Sequence, residues 1–400
     1  MNGPRIVWLA AADARGHLVR AHLARGLLAR RGVTADIVTT HEDGRRFLAA
    51  LGTPSEVLSP HYGVAFDEWQ NMDRRRTEAT ILRYFLQPSR GLQDLLRLGE
   101  VAEGAAYVVN DFHPLLLLAG EGVGRVVHVY GASLYRAIAH HFEGHGPSVL
   151  DRRFAGWIGA LAARAHARVE HGLAAPPEGA FRAADRTFVL PPLVSLPART
   201  RQEVRAALGL PHGRRLAAVY LNPHFRDARL AAALRAALEA RGYTLCGIGE
   251  GLARHPGFSA YDGSFADVAA AADVLVSAPG MASCAQARAF CLPFVALATD
   301  QPEQRANLAA MAGSPLVAPV DLLDPGTRRD LGAALGAAVD RATAARDPAR
   351  PDPRADPPAA ARDAHSLWAD VLSNLVASRP LTARPTPRFL SRPLRTEVPS

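Results

Sequence analysis

The sequence predicts an α/β protein of two Rossmann-like domains whose parallel sheets face a central cleft. Three observations predict it. The chain has 400 residues, roughly twice or more the length of one ordinary domain. It opens on a strand–helix–strand rhythm over residues 5–40, and a second series of the same kind begins near residue 216. Such alternation builds parallel sheets with right-handed crossovers. The expected organisation is therefore a first domain at 1–195 and a second at 196–358. A helix at 359–378 packing back across both and a flexible tail at 379–400 follow.

Residues 5–12 (RIVWLAAA) are a short apolar run ended by Asp13, Gly16 and His17, and read as a buried strand. Leu18, Ala21, Ala24, Leu27 and Leu28 then have the spacing of an amphipathic helix over 17–31, stopped by Gly32. Residues 35–40 are the second strand. The stretch 59–98 breaks the rhythm and reads as an insertion beside the sheet, with Trp69, Tyr84 and Phe85 fitting a pocket wall or the core equally well. Strands return at 107–110, 115–119 and 125–130. An Ala/Arg-rich helix is expected over 151–172, and 187–194 (TFVLPPLV) reads as a hinge entry, since its prolines do not suit a central strand.

The second series runs as a linker helix at 201–208, a strand at 216–221, a helix at 227–241 and a strand at 243–247. Further helices are expected at 265–272, 281–291 and 302–311, with strands at 273–277 and 293–298. Residues 346–358 are a Pro/Asp/Arg-rich linker, and 360–378 is a last amphipathic helix.

Lysine is absent, so all 46 Lys-plus-Arg cations are arginine. That excludes a lysine Schiff base and a Walker A lysine. The three cysteines form no CxxC pair, which argues against a disulfide framework and a thiolate zinc site. No apolar run is long enough to span a bilayer, and the chain begins without a basic leader, so a cytoplasmic location is expected. A net charge of +8 spread as scattered arginines fits an anionic small substrate better than nucleic acid. The arginine-bearing tail leaves a membrane contact open but not favoured, and a monomer or homodimer is expected.

The strongest signal lies at 273–311. A strand delivers the chain to Gly280 and a helix begins at Met281, so the N–H groups of Met281, Ala282 and Ser283 point outward with the positive end of the helix dipole. Gly280 permits close approach of a phosphate, and Ser283 adds a hydroxyl. Gln304 and Asn307 share one face of the next helix. In the first half, His17 stands at the carboxyl end of the first strand, where ligands meet open α/β sheets. A helix N-terminus disfavours imidazolium, so His17 there suits a neutral base. Asp111 ends another strand at the same edge, and Asp13 is a rival base on the His17 loop.

The pattern strand–Gly–x–x–Ser–helix–Cys–Leu–Pro–strand–Asp/Glu–Gln–x–x–Asn resembles the nucleotide-sugar half of GT-B glycosyltransferases. It is most like the inverting group that includes the lipid-linked peptidoglycan N-acetylglucosaminyltransferase and the natural-product transferases. The resemblance implies that Gly280 and Ser283 form the diphosphate loop, and that Gln286 stands where relatives place a glutamate on the donor ribose. It implies that Glu303 and Gln304 grip the sugar, with Asp300 and Gln301 as a rival register, and that Tyr261, Asp262 and Phe265 belong to the loop reading the base. His17 would be the catalytic base and Asp111 its partner. The implied function is transfer of a sugar from a nucleoside-diphosphate sugar to an acceptor hydroxyl of a small natural product or glycolipid, with no cofactor and no metal.

Two departures stand out. Gln286 is neutral, and Ala278 occupies a place where many relatives carry a basic residue. Asn222 and His224 in the LNPHF turn are the candidates to supply phosphate donors instead. These departures keep a non-catalytic nucleotide-sugar-binding partner as a rival reading, beside a sugar-nucleotide epimerase. His113, His140, His141 and His145 with Glu143 do not form a rigid metal site, and GIGEG at 247–251 fails the dinucleotide fingerprint.

Overall fold

The computed structural model describes residues 3–58, 65–71, 73–111, 113, 125–132, 164–346 and 358–377. Strands β1 (Arg5–Ala10), β2 (Thr34–Thr39), β3 (Ser55–Val57), β4 (Val108–Asp111) and β5 (Val126–Gly131) belong to a first sheet. It is completed by β6 (Ala167–His171), β7 (Ala180–Arg182) and β8 (Thr187–Leu190). The order is β3-β2-β1-β4-β5-β6-β8-β7, parallel but for the β7–β8 edge pair. The second sheet takes β9 (Arg215–Tyr220), β10 (Tyr243–Ile248), β11 (Phe258–Ser259), β12 (Val274–Ser277), β13 (Phe294–Ala298) and β14 (Val317–Asp321). Its order is β11-β10-β9-β12-β13-β14, with every pair parallel.

Each sheet reverses its winding at one place. β1 lies between β2 and β4, and β9 lies between β10 and β12. At such a switch point the flanking crossovers leave in opposite directions, so a crevice opens at the carboxyl ends of the strands. The His17 loop follows β1, the LNPHF turn follows β9 and the Gly280 loop follows β12.

The helix after β1 runs Arg15–Ala29 and buries Leu18, Ala21, Ala24, Leu27 and Leu28, the stripe read from the sequence. Pro88–Val101 covers the other face of this sheet, with Leu98 packed against Val7, Leu9 and Val38. That part of 59–98 is thus a crossover layer, not an insertion. The expected strand at 115–119 lies outside the described residues, as does 151–163 of the expected long helix. The rest of that helix is contradicted: Ala167–His171 is a strand between β5 and β8. Its burial alternates, Ala167, Val169 and His171 inward against half-buried Arg168 and Glu170, which is the period of a strand and not of a helix. β8 stops at Leu190, so both prolines fall beyond its ladder.

In the second half the Asp227 carboxylate caps Ala228–Glu239 by accepting from the Arg229 N–H at 2.7 Å. Pro302–Ala310 and Met281–Ala289 stand where the spacing put them. The Ala359–Ala377 helix returns to the first half, where Trp368, Leu372 and Leu375 enter its core, while Ala361 joins a core cluster of the second. Two buried polar side chains there are paired. Tyr107 Oη donates to the Leu372 carbonyl at 2.7 Å and Trp368 Nε1 to the Pro191 carbonyl at 2.8 Å. No helix among the described residues is long and apolar enough to cross a membrane.

Candidate active site

The crevice between β1 and β4 holds a four-residue polar cluster around Asp111. This carboxylate is fully buried. It accepts from His17 Nδ1 at 2.6 Å, from Arg20 Nε at 2.8 Å and Nη2 at 2.5 Å, and from Trp8 Nε1 at 3.3 Å. Burial pushes the carboxyl up, but the Arg20 guanidinium and then His17 outweigh it and hold the group well below the usual carboxylate range. Asp111 is therefore ionised and accepts only.

The network assigns the histidine tautomer. Two acceptors facing each other at 2.6 Å would repel, so His17 Nδ1 carries a hydrogen and donates to Asp111. In the neutral ring the lone pair then resides on Nε2, as a general base requires. His17 itself is 19% exposed, so the ring edge reaches the cleft. Arg20 was missed by the sequence reading. Its signal was the i, i+3 spacing from His17, which places both side chains on one face of the Arg15–Ala29 helix.

Asp13 lies on the same loop. Burial raises its carboxyl to about 6, against the pull of His17, His41 and Arg15. Its backbone carbonyl accepts from His224 Nε2 at 3.1 Å, a contact that crosses the cleft. His224 is thus placed differently from the expectation. The one donor of its neutral ring is committed to Asp13, so no N–H remains for a phosphate, and the ring stacks on Phe66 at 4.1 Å. Asn222 is half-buried and holds its own turn, its Oδ1 accepting from the His224 N–H at 3.1 Å.

Opposite stands the Gly280 loop. Gly280 is the N-cap of Met281–Ala289 with φ −67°, and a Cβ there would meet nothing within 4 Å. No side chain among the described residues caps this helix, which leaves its first N–H groups without a capping acceptor, the condition under which a helix N-terminus attracts an anion. Ser283 Oγ lies 2.9 Å from Ser277 Oγ. Asn307 Nδ2 donates to the Pro279 carbonyl at 3.1 Å and so ties the Pro302–Ala310 helix to the loop. Met281 is buried, Ala282 is exposed and Gln286 is half-buried at the next turn.

The residues expected to grip a sugar divide. Glu303 is exposed and faces Gly131 of the first half. Gln304 is buried, and its Oε1 accepts from Thr299 Oγ1 at 2.9 Å. Of the rival pair, Gln301 is engaged elsewhere, its Nε2 donating to the Gln70 carbonyl at 3.0 Å, while the Asp300 backbone N–H donates to Asn71 Oδ1 at 3.2 Å. In the expected base loop Tyr261 Oη donates to Glu250 Oε2 at 2.9 Å, and Glu250 accepts from Arg15 Nε at 2.7 Å. Asp262 caps its own turn through Ser264, and Phe265 packs on Tyr220 at 5.5 Å.

For Trp69 the core reading holds. It is 4% exposed, sits in the core of the second half beside Phe225, and does not line a pocket. The guanidinium groups of Arg229 and Arg328 lie over its ring at 5.3 and 5.1 Å. The side chains of Tyr84 and Phe85 lie outside the described residues, as do His140, His141, His145 and Glu143. His113 is buried beside Asn110, whose Oδ1 accepts its backbone N–H at 2.8 Å.

No protein-family model and no curated protein matches the chain. Solved structures do. The glycosyltransferase SsfS6 of Streptomyces sp. SF2575, complexed with thymidine diphosphate, is similar over 94% of this chain and 100% of its own, at 14% identity and a TM-score of 0.55. The chain has the GT-B fold. The spinosyn forosaminyltransferase SpnP shares it at 15% identity and a TM-score of 0.55, over 94% of this chain and 99% of that one. The glycosyltransferase of kitacinnamycin does so at 17% and 0.54, over 94% and 100%. In this GT-B fold the His17 and Gly280 loops stand at the switch points of their two sheets.

Proposed function

We propose that this protein is an inverting glycosyltransferase that moves a sugar from a nucleoside-diphosphate sugar to a hydroxyl of an acceptor. The observation that carries the reading is the His17–Asp111–Arg20 cluster at one switch point, with an uncapped helix N-terminus at the other. His17 Nε2 takes the hydroxyl proton, and the ionised Asp111 stabilises the imidazolium that forms. The acceptor oxygen attacks the anomeric carbon from the face opposite the leaving diphosphate. Negative charge that develops on the diphosphate meets the N–H groups of Met281, Ala282 and Ser283, an interaction that strengthens as the bond breaks. No step calls for a metal.

SsfS6 and SpnG are each described in complex with thymidine diphosphate, and SpnG also with spinosyn aglycone. By that likeness the donor nucleotide here is thymidine diphosphate and the acceptor a natural-product aglycone, with uridine diphosphate the alternative that the sequence resemblance implies. The test is a thermal-shift series with UDP, TDP and their sugars, without added metal. Ligand at about 100 times its dissociation constant stabilises by roughly 2.7 kcal/mol. His17→Ala should keep that shift and lose turnover. A protein that responds to none of these nucleotides does not carry the proposed donor site.

A further inference from the structure

His171 ends β6 with both ring nitrogens buried and, among the described residues, without a hydrogen-bond partner. Buried polar side chains are nearly always paired, so an orphaned imidazole points to something that completes it. Its place says what. Val109, Val129 and Val169 pack into one core face of the first sheet. Alternation therefore puts Asp111, Gly131 and His171, each two residues further along its strand, at the carboxyl edge of that same face. The three strands β4, β5 and β6 are neighbours, and Gly131 pairs directly with His171.

Gly131 has no side chain, which leaves a notch beside His171, one step beyond the Asp111–Val129 pair. The second half reaches into it. A Cβ placed on Gly131 would stand 3.4 Å from Glu303 Oε1, 3.9 Å from His171 Cε1 and 4.0 Å from Met281 Cε. The orphaned imidazole thus shares one notch with Glu303 and with the first residue of the uncapped helix. Its other neighbour is the Trp368 ring at 6.0 Å, which offers no hydrogen bond from its face.

We propose that His171 is a donor-sugar-binding residue, its imidazole bonding a hydroxyl of the transferred sugar opposite Glu303. This rests on the glycosyltransferase reading. A neutral imidazole has one donor and one acceptor, the complement of a hydroxyl, whereas a diphosphate calls for donors alone. Burial, then Arg20, hold the ring well below its ordinary pKa despite Asp111, so it stays neutral. A site built to bond a hydroxyl discriminates against a ligand lacking it, because its own polar groups are left unpaired.

The test is calorimetric titration of wild type, His171→Leu and His171→Asn with UDP, UDP-glucose, TDP and TDP-glucose. We expect His171→Leu to bind the bare diphosphate as wild type does and to lose about tenfold or more on its sugar. Its thermal midpoint should stay or rise, since leucine removes an unsatisfied polar group, and His171→Asn should recover part of the sugar affinity. An unchanged preference for sugar nucleotide over diphosphate would overturn the assignment and leave the donor site standing. Equal weakening of both ligands would overturn it too. A wild type that binds none of the four removes the donor reading and this inference with it.

Discussion

Arg20 Nη2 and His17 Nδ1 address the same oxygen, Asp111 Oδ1, from 2.5 and 2.6 Å, and lie 2.9 Å from each other. An arginine has no acceptor and a histidine nitrogen cannot both give and receive, so the carboxylate between them decides how the protons lie. Arg20 keeps Asp111 ionised, and Asp111 in turn keeps the hydrogen of His17 on Nδ1. Charge set one turn along the helix thus fixes the tautomer of His17.

Asp111→Asn tests that tautomer. The amide preserves shape but carries N–H groups, which favour the ring with its lone pair on Nδ1. Turnover should fall by about 10²- to 10⁴-fold, the usual contribution of a positioned general base. Affinity for the donor nucleotide, bound across the cleft, should be unchanged in a parallel titration.

Arg20→Met tests the source of the charge. Removing one partner of a buried ion pair costs about 3–5 kcal/mol at neutral pH. The sign with pH also inverts. In wild type the Asp111 pKa is depressed on folding, so its contribution is present above the ordinary carboxylate range and is lost as pH falls below it. In the variant, burial dominates and raises that pKa, so the folded state takes up the proton first and gains stability as pH falls from neutral. Urea midpoints from pH 7 to pH 4 should therefore converge. Parallel curves would show that Arg20 does not set the ionisation of Asp111.

Asp13→Asn separates the two candidate bases. The Asp13 carboxyl is raised by burial to about 6 in the folded protein. Ionised Asp13 is then a cost of folding that begins above the ordinary carboxylate value and is complete above about 6. The variant should be more stable than wild type at pH 7 and equal to it near pH 4. It should keep turnover, because His17 holds the proton-accepting position. Loss of turnover to the level of His17→Ala would move the base to Asp13.

Much of this was legible before any coordinates. Apolar spacing located the Arg15–Ala29 helix, and Gly280 after a buried strand located the uncapped helix start. His17 and Asp111 could be paired because His17 follows β1 and Asp111 ends the parallel strand beside it, at one sheet edge. What escaped was decided by tertiary partners. Gln304 turns inward because Thr299 Oγ1 is there to bond it, and nothing local announces that. The sequence of β6 reads as helix because its alanine- and arginine-rich approach has helical propensity, which a position between two parallel strands overrides. With that strand misread, His171 could not be placed at the sheet edge.

Trp69 belongs to the same class of residue, and it yields the last prediction. An aromatic in a stretch flanked by charge, DEWQNMDRRR, reads equally well as a pocket wall or as core. Asp67 folds the turn by accepting the Trp69 and Asn71 N–H groups at 2.9 and 2.8 Å. The Glu68 carbonyl then accepts the Arg226 N–H at 2.9 Å, which sets Trp69 beside Phe225 in the second half's core. The residue is thus a peg from one half seated in the other. Trp69→Ala should destabilise by about 3–5 kcal/mol, the usual result of emptying a buried aromatic site, and Trp69→Phe by clearly less. Both are read from denaturant midpoints beside steady-state kinetics. A Trp69→Ala protein of wild-type stability with a raised acceptor KM would return the ring to the acceptor pocket and remove the peg.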